Sequence, residues 1–326
     1  GKCAGIPLRH AYGADFKLAD QDLHRPAKVD SYRGFIFASM TANVPPLVEH
    51  LAGAAGFIDQ WLDRGNRERV LLNAGSMPFL THANWKTVYD NAGDGYHPPF
   101  SHDSMLRVFA RRYGSDTDMS YYRSNFDESP ILSKDLGNGH TTLDQRPAMH
   151  KESAWRRQHV SPGAELTEAA MTARFGADAG IAALDASTGS GLNLNIFPNL
   201  LIIGNQIQLI EPINVRQTAV HWFSTVLEGA PDEVNATRMR MQEDFPSFGE
   251  VDDTAQFESC QEGLENVPEM EWVDIRRHMS TNVGRTDADG LYREPISSDL
   301  HLRTYYAAWH RVMEAGFAAA TPGEAG

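Results

Sequence analysis

Three side chains able to hold a metal ion, Asp94, His97 and His102, fall within nine residues of the run Asn84-Trp85-Lys86-Thr87-Val88-Tyr89-Asp90-Asn91-Ala92-Gly93-Asp94-Gly95-Tyr96-His97-Pro98-Pro99-Phe100-Ser101-His102. Imidazole and carboxylate suit divalent iron. Two imidazoles and one carboxylate on one face leave open coordination positions, the arrangement of non-haem Fe(II) oxygenases. Histidines five apart point roughly 140° away from each other on a helix. One ion can therefore take both only if the helix stops between them. Pro98 and Pro99 are expected to stop it, because proline disfavours helical backbone at the preceding residue and removes amide donors. Asp94, three residues before His97, is expected on the same side of the last helical turn, where a carboxylate can orient the imidazole.

The third ligand must come from elsewhere among 43 acidic residues. The best candidates stand in Phe248-Gly249-Glu250-Val251-Asp252-Asp253-Thr254-Ala255-Gln256-Phe257. There two adjacent aspartates precede a helical pattern, and either could equally serve as its N-cap.

Elements that could position these groups are legible along the chain. Short apolar pieces between Tyr32 and Met40 read as strands, and Pro45-Pro46 opens a helical pattern from Leu47 to Leu62 interrupted by Gly-Ala-Ala-Gly. Val70 to His82 reads as a strand region and Asn84 to Asn91 as a helix. Arg107 to Ala110 and Met119 to Tyr122 read as strands, with a turn at 137–140, and Leu166 to Leu184 reads as helix. Leu192 to Phe197, Leu200 to Ile203, Gln206 to Ile213 and Thr218 to Leu227 are strands separated by Pro-Asn, Gly-Asn and Asn214 to Gln217 turns, so their sheet is antiparallel. Helices are expected from Pro231 to Asp244, from Asp252 to Glu265 and from Leu300 to Phe317, followed by a frayed tail at 321–326. The class is α+β, an antiparallel sheet with helices packed on one side.

A net charge of −14 argues against nucleic acid as the main partner, since a phosphate backbone needs a basic surface. No apolar run is long enough to span a membrane as a helix. Two cysteines, Cys3 and Cys260, make no disulfide framework, which fits a reducing, cytoplasmic setting. They are too few for a Cys-rich zinc or iron–sulfur site within this sequence.

Asn84-Trp85-Lys86, Asn91-Ala92-Gly93-Asp94-Gly95-Tyr96-His97 and His102 together resemble the catalytic motif of the large (α) subunits of Rieske-type aromatic ring-hydroxylating oxygenases, most closely the benzoate and toluate dioxygenase branch. Asn195-Ile196-Phe197-Pro198-Asn199-Leu200, Glu211-Pro212 and Asp252-Asp253-x-x-Gln256-Phe257 resemble further segments of that family, so the likeness covers most of the chain. The resemblance implies a helix-grip catalytic domain over 46–320, an antiparallel sheet wrapped around a long C-terminal helix. It implies His97, His102 and Asp253 as ligands of a mononuclear Fe(II), and Asp94 as the bridge from His97 to a Rieske [2Fe-2S] cluster of a neighbouring subunit. Asn91, Asn195 and Phe248 would line the substrate pocket. Electrons would arrive from NAD(P)H through a reductase, sometimes with a ferredoxin. O2 would be activated at the iron, and an aromatic substrate would be cis-dihydroxylated or monohydroxylated, as in aromatic catabolism. The assembly would be a trimer of α subunits, with or without a small β subunit.

Two departures accompany the resemblance. A Rieske cluster needs a Cys-x-His and a Cys-x-x-His pair, and this sequence has neither. Lys2-Cys3-Ala4-Gly5-Ile6-Pro7 resembles the strand after the second pair, so residues 1–45 are expected to be the C-terminal remnant of a β-rich Rieske domain. The chain alone would then hold iron without receiving electrons by the family's route. Four residues before Asp253, where the family often has an aromatic, stands Gly249, which leaves room for a bulkier or differently placed substrate. A carboxylated substrate would call for an inward-facing arginine. Two other readings compete: a non-catalytic protein binding a hydrophobic ligand on the same scaffold, and a zinc hydrolase, which the absence of a His-Glu-x-x-His helix weakens.

Overall fold

In a computed structural model of the chain, the residues described are 1–64, 69–72, 74–113, 129–147, 153–157, 162–189 and 191–320. They fall into two compact units, Gly1–His50 and Leu51–Gly326. In the first unit, β1 (Lys28–Tyr32) and β2 (Phe35–Ser39) form an antiparallel hairpin. Its turn, Arg33-Gly34, has φ of 50° and 94°. Two positive φ values match the right-handed twist of the flanking strands. The turn thus falls inside the run read as strand from Tyr32 to Met40. A short helix, α1 (Leu47–Leu51), spans the boundary between the units.

The second unit runs α2 (Ala54–Leu62), β3 (Val70–Leu71), β4 (Ser76–Thr81), α3 (Trp85–Gly93), α4 (Pro98–Ser101), α5 (Asp103–Tyr113), β5 (Leu132–Gly137), β6 (His140–Asp144), α6 (Ala154–Arg157), α7 (Ala164–Phe175) and α8 (Ala177–Thr188). It continues with β7 (Leu192–Ile196), β8 (Leu200–Ile203), β9 (Gln206–Asn214), β10 (Gln217–Phe223), β11 (Val226–Leu227), α9 (Asp232–Asn266), β12 (Arg285–Thr286), β13 (Tyr292–Pro295) and α10 (Leu300–Ala320). Nine strands form one antiparallel sheet in the order β12-β13-β5-β6-β7-β8-β9-β10-β4. Its heart is the 192–223 meander, where Gly204-Asn205 joins β8 to β9 as the turn residues predict.

The C-terminal helix packs on β5, β6 and α3. Leu300, His301, Leu302, Tyr305 and Ala308 are buried, while Val312 and Phe317, nearer the C-terminal end of the helix, are exposed. Tyr305, fully buried, shares a core cluster with Val88, Tyr89, Phe197, Val220 and Trp222. Burying one such side chain contributes roughly 1.5–3 kcal/mol. This is the helix-grip arrangement, a sheet wrapped on a long terminal helix.

Four local expectations are corrected. Arg107 to Ala110 is helical within α5, not a strand. An Asp103–Arg107 ion pair of 2.6 Å spans its first turn, and Met105 and Leu106 supply the buried side. A run of three apolar residues, Val108 to Ala110, is too short to fix a period. The helical patch from Leu166 to Leu184 divides at Gly176, whose φ of 89° ends α7. Thr218 to Leu227 breaks after Phe223, and β11 leaves the main sheet to pair with β3. Finally, the two helices expected on either side of residue 248 are one helix, α9, of 35 residues. It runs through Pro246, which has no amide hydrogen for the carbonyl four residues earlier. That carbonyl, of Gln242, accepts instead from Nε2 of Gln206 on β9 at 2.5 Å. Met119 to Tyr122 and the 321–326 tail lie outside the described residues. Among the described residues no helix is long and apolar enough to cross a membrane.

Candidate metal centre

The site begins on α3. Asn84 caps it, with its side-chain oxygen accepting from the Lys86 amide at 3.2 Å, an interaction of about 1 kcal/mol. Val88, Asn91 and Ala92 then share one side of the helix and face a cavity. The helix ends at Gly93 because Asp94 turns to extended backbone, φ −79° and ψ 129°. Gly93 is required sterically, since a Cβ there would lie 2.2 Å from the His301 ring on α10. Gly95 is similar, with Ile296 Cγ1 at 2.1 Å.

The break between the histidines is therefore placed differently from the sequence expectation. The helix stops before His97, and Pro98 and Pro99 open the next turn, α4, at its first two positions, where a missing amide costs nothing. His97 and His102 flank that single turn, and their rings lie 5.3 Å apart at 75°. Asp94 is no longer on the helical turn of His97, yet it orients it. Its Oδ1 accepts from the His97 amide at 3.0 Å and lies 2.8 Å from His97 Nδ1. Burial works against a charged His97 imidazole, but the bond and charge of Asp94, with Asp253, outweigh it and raise its pKa above the ordinary value.

Asp253 comes from α9, 150 residues or more from either histidine in sequence. Its Oδ1 faces Nε2 of His102 at 3.1 Å and Nε2 of His97 at 3.8 Å. One ligand atom from each of the three residues lies within 4.8 Å of the others. Asp253 Oδ1 is buried and makes no hydrogen bond to a described residue. A buried carboxylate oxygen directed at two imidazole nitrogens is what a shared cation satisfies. The donor set, two imidazoles and one carboxylate, fits Fe(II) with open positions.

One contributor was missed in the sequence. Asp252 does not cap a helix, since it sits deep inside α9. Its Oδ2 lies 3.4 Å from Nδ1 of His102. Each histidine thus has a carboxylate at Nδ1 and turns Nε2 towards Asp253, the arrangement that fixes a ligating imidazole's tautomer and basicity. The Asp-Asp doublet was the available signal.

The cavity beside the triad has a volume of about 260 Å³. Gln242, Glu250, Asp253 and Phe257 reach it from one face of α9, and Asn193, Leu201, Gln206 and Gln208 from the sheet. Asn91 lines it. Asn195 does not: it is fully buried, and its Nδ2 donates to Thr141 Oγ1 at 3.2 Å, so Asn193 is the lining residue of β7. The side chain of Phe248 lies outside the described residues. No arginine or lysine is among the described residues lining the cavity. Burial, with the charge of Asp253, raises the Glu250 carboxyl well above the usual range.

Behind α3 lies a second polar cluster. His301 is 1% exposed, with Nε2 2.6 Å from the Tyr89 carbonyl and Nδ1 2.5 Å from Thr141 Oγ1. Burial pushes its pKa down to about 4. Nearby, burial pushes Asp90 up to about 7, against the effect of the Tyr305 hydroxyl bonded to it.

The fold and sequence both have known counterparts. Naphthalene 1,2-dioxygenase from Rhodococcus sp. shares the fold at a TM-score of 0.67 and 20% identity, over 95% of this chain and 72% of that one. The 2-halobenzoate 1,2-dioxygenase large subunit of Burkholderia cepacia is 31% identical over 264 residues, 78% of this chain and 54% of the relative. The toluate 1,2-dioxygenase subunit alpha of Pseudomonas putida is 27% identical over 74% of this chain and 52% of its own length. The chain thus spans about half the length of these two curated relatives. Residues 58–315, which include α3, both histidines and Asp253, match the ring hydroxylating alpha subunit (catalytic domain) family, and the chain belongs to that family.

Proposed function

We propose that this chain is the iron-holding catalytic part of an oxygenase large subunit that hydroxylates an aromatic ring. The observation that carries the reading is the convergence of two carboxylate-backed imidazoles and a buried Asp253 oxygen beside a cavity. His97, His102 and Asp253 hold mononuclear Fe(II), which supplies activation of O2 when bound. The chain's own groups do the rest. Asp94 and Asp252 fix the imidazoles, and the mixed apolar and polar cavity seats the ring.

Asp94 is read as the bridge from His97 to a [2Fe-2S] Rieske cluster of a neighbouring subunit in a trimer, the point at which electrons would enter. Residues 1–45 are read as the C-terminal part of such a cluster-binding domain, whose cysteine and histidine ligands lie outside this sequence. A reductase, with or without a ferredoxin, supplies electrons from NAD(P)H, and a small β subunit completes some assemblies of this kind. The free Cys3 and Cys260 fit a cytoplasmic setting.

The test is metal content. Protein purified anaerobically after iron-replete expression is expected to hold one iron per chain, and His97→Ala and Asp253→Ala to hold almost none. Stoichiometric zinc in the wild type would overturn the iron assignment.

A further inference from the structure

α9 brings two carboxylates to the metal centre, and its backbone ladder is interrupted shortly before them. Pro246 gives no amide hydrogen to the Gln242 carbonyl, and a proline ring crowds the carbonyl four residues earlier. Asp252 and Asp253 follow about two turns later. A helix with such a gap kinks or breaks unless another group takes up the freed carbonyl.

The two halves of α9 are held differently. Before the gap, Arg238 donates to Asn205 Oδ1 at 3.1 Å and to Thr225 Oγ1 at 2.8 Å. The Gln242 side chain accepts from the Thr225 amide at 2.7 Å and donates to the Thr225 carbonyl at 2.9 Å. Beyond the gap, among the described residues, the first polar contacts with another element are those of Asp252 and Asp253 with the histidines. The position of the ligand-bearing half therefore depends on what bridges the gap.

Two bonds do so. Ser247 Oγ donates to the Glu243 carbonyl at 2.7 Å, in an exposed setting where water can take its place. Gln206 Nε2 donates to the Gln242 carbonyl between two buried residues. Without Gln206 that buried acceptor would stand orphaned, and moving the chain is the way to relieve it.

We propose that Gln206 is a positioning residue of the metal centre. By supplying the hydrogen that Pro246 lacks, it keeps the second half of α9 in register with the first, so that Asp253 Oδ1 falls opposite both imidazoles. It acts through the backbone and is not a ligand. The assignment rests on Asp253 binding the metal proposed above.

A double-mutant cycle with Pro246 tests it, read by anaerobic competition for Fe(II) with a chelator. Gln206→Met removes the donor at similar length and is expected to weaken iron about tenfold, the low end for a group that supports a ligand. Pro246→Ala returns an amide hydrogen, and in that background Gln206→Met should cost less than about threefold, because both groups serve one acceptor. Equal losses in the two backgrounds would overturn the assignment. So would a lower urea midpoint with unchanged iron affinity, the mark of a purely structural role. If Gln206→Met alone gives no cooperative melt, adding Pro246→Ala should restore both the melt and the iron, and failure to do so counts against the proposal. Hydrogen exchange of the metal-free proteins over residues 247–254 separates the two claims. Faster exchange in Gln206→Met that Pro246→Ala reverses, in a protein whose wild type takes up no iron, sinks the oxygenase reading alone. Wild-type protein that holds iron, with affinity unchanged in Gln206→Met, sinks this assignment alone.

Discussion

His102 and His301 are buried to the same degree, 2% and 1% exposed. His102 has a carboxylate near each ring nitrogen, Asp252 at 3.4 Å and Asp253 at 3.1 Å. His301 has a backbone carbonyl and a threonine hydroxyl, which together satisfy one neutral imidazole completely. Burial alone therefore does not mark a ligand. What distinguishes the two regions is excess negative charge: the first has more carboxylate than its imidazoles can neutralise, and the second has none on its histidine.

The largest effects should come from breaking that distinction at the ligands. Asp253→Ala or His102→Ala is expected to abolish stoichiometric iron, while His301→Gln keeps it, as read by elemental analysis. Iron loss in His301→Gln would show that the two regions are not separate. The carboxylates behind the imidazoles come next. Asp94→Asn and Asp252→Asn should each weaken metal binding by about 10–100-fold in competition with a chelator. Asp94→Asn should be the more severe, because its contact of 2.8 Å is shorter than the 3.4 Å of Asp252.

Gly93→Ala places a methyl against the His301 ring. It should destabilise the fold by about 1–3 kcal/mol, measured by denaturant titration, with metal affinity changed less than in Asp94→Asn.

The smallest effect is on the pH dependence of stability. His301 is held at about 4 against an ordinary 6.5, so it costs stability as pH falls from about 6.5 towards 4. Asp90 is held at about 7 against 3.8, so it costs stability as pH rises from about 4 towards 7. The two slopes oppose each other over nearly the same window. His301→Gln should therefore unmask a decline in urea midpoint with rising pH, and Asp90→Asn a rise. Parallel profiles for both variants would contradict this pairing.

What was legible in the sequence follows the range of each interaction. The strands from Leu192 to Phe223 were legible because their turns carry local conformational signals, as at Gly204-Asn205. The two histidines were legible because their spacing and prolines lie in one short run, although the prolines start a turn rather than end one. Asp253 was reached through family resemblance, because nothing local distinguishes it from a helix cap. The role of Asp252 and the true environment of Asn195 depend on strands and helices brought together across the fold, and no spacing rule reports that. The helix at Arg107 was missed because three apolar residues suit either period. The unity of α9 was missed because the group that rescues its proline, Gln206, lies 40 residues away on a strand.

In mechanical terms α9 is a jointed rod whose joint is clamped from outside. Pro246 opens one link near the middle, and the Gln206 side chain closes it from the sheet. Asp252 and Asp253 ride on the arm beyond the joint, while Arg238, fully buried and bonded to Asn205 and Thr225, anchors the other. Gln206 is also part of the cavity wall. The fastening that closes the open link of the ligand-bearing helix is thus one that a guest in the cavity can touch.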